Sequence, residues 1–242
     1  MGEKRAGPSN LALLILGAVV VLSATFAIVA ERIHDDRTSS PPRASGVPTS
    51  ISTNVANLMG LTALPEPAAD DFVLTDQRGR TMSFDSFKGR TVALEFMDPH
   101  CTDICPIVSQ EFVDAYHDLG GSAGKVAFVA VNVNEFHTSV AAMSAYSQAH
   151  LLSTIPTWHF FTGPVKALAA VWHAYNIEVI APGPNADIIH TSIVYFIGPN
   201  GRERYAAFPN DDHTASGKAY LPANQIATWG SGIASVLRSI SH

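Results

Sequence analysis

The sequence predicts an α/β layered domain, and three observations carry that prediction. Two nearly unbroken apolar runs rich in β-branched residues, TVALEFM (Thr91–Met97) and KVAFVAVNV (Lys125–Val133), read as strands buried on both faces. Helical patterns alternate with them along the chain. The order then closes with a hairpin and a final helix, as in a layered α/β domain.

Taken in order, residues 1–10 form a short N-terminal segment carrying Lys4 and Arg5. Residues 11–30, LALLILGAVVVLSATFAIVA, contain no charge. At helical rise they cover about 30 Å, the thickness of a bilayer core, and so predict a single transmembrane helix. Lys4 and Arg5 precede it, which places the N-terminus in the cytoplasm and the rest of the chain on the extracytoplasmic side, periplasmic or cell-surface. A cleaved signal peptide is the alternative, but this stretch is longer than a typical apolar leader core and ends in poor small-x-small sites. Residues 31–66, rich in Ser, Pro and Thr, are expected to be a linker, which allows but does not require a short amphipathic helix around Val55–Leu61. The folded domain is expected over 67–242.

Within the domain, DFVLTDQRGRTMSF predicts two short strands about an Arg78-Gly79 turn. Pro106 suits a first helical turn, and Val108, Phe112, Ala115 and Leu119 then form one apolar stripe before Gly120-Gly121. A helix over 138–150, a short strand at Thr157–Phe161 and a helix over 164–175 follow. Residues 176–187, with prolines and a glycine, read as an exposed loop. HTSIVYFI (His190–Ile197) reads as one strong strand, with a GPNG turn, a partner strand over 202–206 and a closing helix over 223–240.

The chain has 242 residues, 47% hydrophobic and 15% charged, with a formal net charge of −6. That balance, with no basic run, excludes nucleic acid as a partner class. Only two cysteines occur, Cys101 and Cys105. A staple closing so short a loop stabilises little, and a domain of this size has core enough without one. Chemistry explains the pair better.

The cysteines stand in the loop Asp98-Pro99-His100-Cys101-Thr102-Asp103-Ile104-Cys105-Pro106, between the end of a central strand and the next helix, where open α/β sheets place their sites. Cys105 falls at the helix N-terminus, so its thiolate is the one expected to be favoured. Cys101 is expected to be the more exposed. The spacing allows the sulfurs either to bond to each other or to bind one metal. Two thiolates suit Cu(I), and a neutral imidazole completes a three-ligand site for Cu(I) or Cu(II). Ten histidines compete for that role. His190 stands out because it opens a buried strand directly after a flexible loop. His159 reads as a packed, hydrogen-bonded residue, His100 as a solvated loop residue, and His117, His137, His150, His173 and His213 as surface.

The segments HCTDICP, WHFFTG and HTSIVYFIGPNGRERY together resemble the Sco/SenC family of copper chaperones for cytochrome c oxidase, over approximately Ala68–Arg238. The resemblance implies a thioredoxin-like fold with an N-terminal strand extension. It implies copper held by Cys101, Cys105 and His190 and delivered to the copper-acceptor subunit of the oxidase. Two positions depart from the family pattern: Thr102 stands where Pro usually follows the first cysteine, and Ile189 stands where Asp commonly precedes the histidine.

Two functions follow from these residues. A metallochaperone binds copper through Cys101, Cys105 and His190 and releases it by ligand exchange. An extracytoplasmic thiol–disulfide oxidoreductase uses Cys101 and Cys105 as catalytic residues on another thiol protein. A copper titration of the reduced protein and its cysteine and histidine variants separates them.

Overall fold

The computed structural model describes residues 44–241. Helix α1 (Thr53–Leu58) and strand β1 (Thr62–Ala63) come first, followed by the hairpin β2 (Val73–Thr75) and β3 (Thr81–Ser83). Strand β4 (Thr91–Met97) leads into helix α2 (Ile104–Leu119), and β5 (Val126–Asn132) into α3 (Val140–Ala149). Then come β6 (Trp158–Phe161), α4 (Val165–Ala174) and the short strands β7 (Val179–Ile180) and β8 (Ile189–His190). The chain ends with β9 (Val194–Ile197), β10 (Glu203–Ala207), β11 (Asp212–His213), β12 (Ala219–Tyr220) and helix α5 (Ala223–Ser239).

The main sheet has six strands in the order β1-β10-β9-β4-β5-β6. Strands β4, β5 and β6 are parallel, whereas β9 runs antiparallel to β4 and to β10. Every residue of β4 and β5 is buried, as the apolar runs predicted. Alternation sorts their side chains. Ala93, Met97, Phe128 and Ala130 face a core shared with α2, α3 and α5, while Val92, Leu94, Phe96, Val129 and Val131 face a second core with α4 and the β2–β3 hairpin. Two cores on one sheet make the three-layer architecture expected of an α/β domain.

Three boundaries differ from expectation. Residues 44–66, inside the stretch expected as a linker, belong to the domain: α1 and β1 lie there, and Ile51, Met59 and Leu61 are buried in the first core. The apolar spacing around Val55–Leu61 allows a short amphipathic helix but does not require one, and only contact with α5 and β10 gives the segment a buried side. The loop expected over 176–187 contains β7, which pairs with β8 through Val179↔His190 and Ile180↔Ile189. The single strand expected over His190–Ile197 is broken into β8 and β9, which belong to different sheets. Thr191 makes the break, since its N–H and Oγ1 bond the backbone of Glu178 rather than the main sheet. Among the described residues no helix is long and apolar enough to cross a membrane, and the span expected at 11–30 lies outside them.

Candidate metal centre

Strand β4 delivers the cysteine loop at the C-terminal end of the parallel strands. Asp98, 1% exposed, shapes that loop: its carbonyl accepts from the Cys101 N–H at 3.2 Å, and its Oδ1 accepts from the His100 N–H at 2.8 Å. The same Oδ1 accepts from Asn134 Nδ2 at 2.8 Å, a bond between the loops that follow β4 and β5. The parallel register Met97↔Asn132 brings these two loops side by side. Asn134 also accepts, through Oδ1, from the N–H groups of Phe136 and His137.

Cys101 is partly buried and Cys105 is buried, and neither is in a disulfide. The Cys105 N–H donates to Cys101 Sγ at 3.4 Å. Hydrogen bonding from the Cys105 thiol, joined by backbone N–H groups of Cys105 and Asp103, outweighs burial and holds the Cys101 thiol below its ordinary range. Cys105 is pushed well up, by its bond to Cys101 and by full burial. This reverses the expectation that Cys105 carries the favoured thiolate. The unpaired N–H of the helix start is aimed at the neighbouring sulfur, so the first cysteine collects the benefit.

His190 sits on β8 opposite Val179, in the small hairpin that borders the site rather than at the head of a central strand. Its Nδ1 lies 3.0 Å from the Thr191 carbonyl. A carbonyl only accepts, so Nδ1 carries the hydrogen and the Nε2 lone pair is left free to bind a metal. Burial pushes this imidazole below its ordinary range, against the pull of the Thr191 carbonyl and the Asp98 charge, and keeps it in the neutral, ligating form. Asp98 thus acts electrostatically on both Cys101 and His190.

The structure brings the two cysteines into contact, but the ligand atoms of Cys101, Cys105 and His190 do not all lie within 4.8 Å of one another. Among the described residues, the one group of three histidine, cysteine or acidic ligand atoms lying within 4.8 Å of one another is Asp103, Asp211 and His213. There His213 Nε2 meets Asp103 Oδ1 at 3.2 Å, which explains why Asp103 starts α2 without a side-chain capping bond. Two thiols in contact, with an imidazole of unclaimed Nε2 on the adjoining hairpin, have the chemistry that suits copper, so these residues could hold the ion. The residues present fit that metal.

Two histidines read as surface also lie at this end of the sheet. His213 pairs with the cysteine loop through Asp103. His137 stacks on His100, with ring centroids 3.6 Å apart and planes 18° from parallel. The signal that points to His137 is its place just beyond the C-terminal end of a parallel strand, where loops gather around a site. His159, in contrast, is buried beneath Phe87 with Nδ1 3.3 Å from Asp76, the packed residue expected.

A family model for SCO1/SenC matches residues 62–219. The chain belongs to the SCO1/SenC family. This Sco-family chain is 30% identical over 137 residues to the mitochondrial SCO2 homolog of Homo sapiens, covering 54% of this chain and 50% of that protein. It spans about half the length of the mammalian SCO2 homologs it matches. Among solved structures it resembles Bradyrhizobium japonicum ScoI with copper bound, with a TM-score of 0.55 and 21% identity over 72% of this chain and 99% of that one. It also resembles BsSco, a member of the Sco family of cytochrome c oxidase assembly proteins with an identified disulfide switch. There the TM-score is 0.50 and the identity 21%, over 59% of this chain and 83% of that one. At these identities the structural likeness establishes the α/β fold of the Sco proteins.

Proposed function

We propose that this Sco-family protein is a copper metallochaperone for the copper centre of cytochrome c oxidase, binding the ion through Cys101, Cys105 and His190. The observation that carries the reading is the Cys101–Cys105 contact, which makes one thiol easy to ionise beside a hairpin whose histidine keeps Nε2 free. The copper-bound relative and the assembly role of the family support it. Copper is the cargo here. Cys101 supplies the first thiolate, Cys105 the second on losing its buried proton, and His190 approaches from β8 to complete the set. Release follows the same order in reverse, by exchange onto the thiolates of a docked copper-acceptor subunit. In this reading residues 11–30 anchor the domain to the membrane, with the N-terminus cytoplasmic and the site on the extracytoplasmic side.

The asymmetry of the two thiols also favours a second reading, a thiol–disulfide oxidoreductase acting on acceptor cysteines. The Cys101 thiolate attacks a partner disulfide, forms a mixed disulfide and expels one partner thiolate. Cys105 then gives up its proton and attacks Cys101 Sγ, releasing the second partner thiol. The partner gains two electrons, and the chain is left with a Cys101–Cys105 disulfide.

Titration of the reduced full-length protein with Cu(I) and Cu(II) tests the first reading. Stoichiometric binding is expected in the wild type and its loss in Cys101→Ser and Cys105→Ser, with His190→Ala binding more weakly. Unchanged binding in all three variants overturns it. Disulfide reduction by a wild type that binds no copper supports the second.

A further inference from the structure

The connection between β7 and β8, residues 181–188, reaches back toward the cysteine loop across a cleft of about 320 Å³ lined by His100, Thr102, Asn134, His137 and Asp187. Across that cleft His137 Nε2 lies 3.1 Å from the Pro184 carbonyl. The acceptor carries no hydrogen, so His137 Nε2 is the donor. Among the described residues this is the one hydrogen bond from the 181–188 connection to another element. The β7–β8 hairpin is otherwise held by its two residue pairs, by the bonds between Thr191 and Glu178, and by Ile177 and Ile188, which flank its strands and are buried in the second core.

The other end of the His137 side chain is equally fixed. Its ring lies flat on His100, next to Cys101, and its backbone N–H donates to Asn134 Oδ1 at 3.1 Å. Its carbonyl accepts from the buried Asn132 Nδ2. Asn134, 2% exposed, is itself bonded to Asp98, which holds the N–H groups of His100 and Cys101. A continuous chain of hydrogen bonds thus runs from Cys101 through Asp98, Asn134 and His137 to the strand-bearing loop of His190.

We propose that His137 is a positioning residue that couples the cysteine loop to the β7–β8 hairpin and so sets where His190 stands relative to Cys101 and Cys105. The proposal rests on the reading of His190 as the third copper ligand and adds the device that presents it. A ligand on a two-residue strand needs such a tether. With only two residue pairs the hairpin has little stability of its own. Ile177 and Ile188 anchor it in the second core, but Ile180 and Ile189 on the strands themselves are 49% and 61% exposed, so its tip is what the tether orients. The tether acts through second-sphere contacts, which orient a ligand without touching the metal.

The variant His137→Phe keeps a flat ring over His100 and removes the N–H donor, while His137→Gln keeps a donor and removes the ring. Two measurements on the full-length protein read the effect. In the metal-free protein, exchange of the Thr191 amide, bonded to the Glu178 carbonyl, is expected to accelerate about tenfold in His137→Phe and to recover in His137→Gln. In the Cu(II)-loaded protein, electron paramagnetic resonance is expected to lose the imidazole-nitrogen coupling that His190 gives the wild type, with copper affinity down about tenfold and the melting temperature unchanged. Unchanged Thr191 exchange in His137→Phe overturns the proposal whatever the copper result. Accelerated exchange, with wild-type copper binding insensitive to His190→Ala, supports the tether and overturns the ligand reading instead.

Discussion

The backbone N–H of Cys105 points at the sulfur of Cys101, 3.4 Å away, and so gives the helix start to the cysteine outside the helix. A thiol accepting from an N–H, and from a second thiol, is easier to ionise than one enclosed by apolar side chains. Cys101 has the first environment and Cys105 the second. The pair is therefore asymmetric before any metal or partner arrives, with one sulfur ready and the other held in reserve.

Alkylation reads this asymmetry directly. With limiting iodoacetamide at neutral pH, mass spectrometry of the reduced protein is expected to find the label on Cys101 well before Cys105. Cys105→Ala removes the S–H donor while leaving the N–H, so Cys101 reacts several-fold more slowly. Equal labelling of the two cysteines contradicts the geometry.

The acid side of the stability profile is expected to contain His159. Burial brings this imidazole down to about 4, against the opposing pull of Asp76, whereas in the unfolded chain it titrates near its ordinary 6.5. A depressed histidine favours folding while neutral. Its contribution is complete above about pH 6.5 and is lost as the pH falls toward about 4, by roughly 3 kcal/mol. His159→Phe, stacked in the same place against Phe161, is expected to flatten that segment of the urea-midpoint profile. Parallel profiles for wild type and variant contradict the assignment.

The packing of α2, which carries Cys105, depends on a glycine. A Cβ at Gly230 of α5 would stand 2.5 Å from Asp114 Cβ and 3.2 Å from the Ala115 backbone nitrogen. Backbone cannot yield as a flexible side-chain end can. Gly230→Ala is therefore expected to destabilise by about 2 kcal/mol despite alanine's better helix propensity. Cys105 alkylation is expected to quicken as the helix shifts. Chemical denaturation and the labelling assay check the two effects.

The parts of this fold legible in the sequence are those whose burial is continuous. TVALEFM forms the strand expected of it, residue for residue, because both faces of β4 are covered. The cysteine loop was legible for a related reason, since a strand end followed by Pro106 allows little but a turn into a helix. What was not legible depended on distant partners. The segment 53–63 is ordered by α5 and β10, and the His190 strand is divided by the bond between Thr191 and Glu178. The direction of the Cys105 N–H escaped for the same reason, because spacing places a helix start but does not say which sulfur it serves. His137 looked like surface because its neighbours, His100 and Pro184, come from two other loops.

Glu111 supplies the last prediction. It lies on α2, 1% exposed, with neither carboxyl oxygen bonded, and burial together with the nearby Asp114 raises its pKa well above the ordinary range. A carboxyl raised in this way favours folding only while protonated. Its penalty grows as the pH climbs above the unfolded value near 4.5, since the unfolded chain then releases a proton the folded one retains. Glu111→Met fills similar space without a polar group, and is expected to raise stability at neutral pH by about 2 kcal/mol. The gain is expected to be larger at pH 8 than at pH 5. Urea midpoints at the two pH values check the sign, and a variant less stable than wild type at pH 8 contradicts the burial of an unpaired acid at this position.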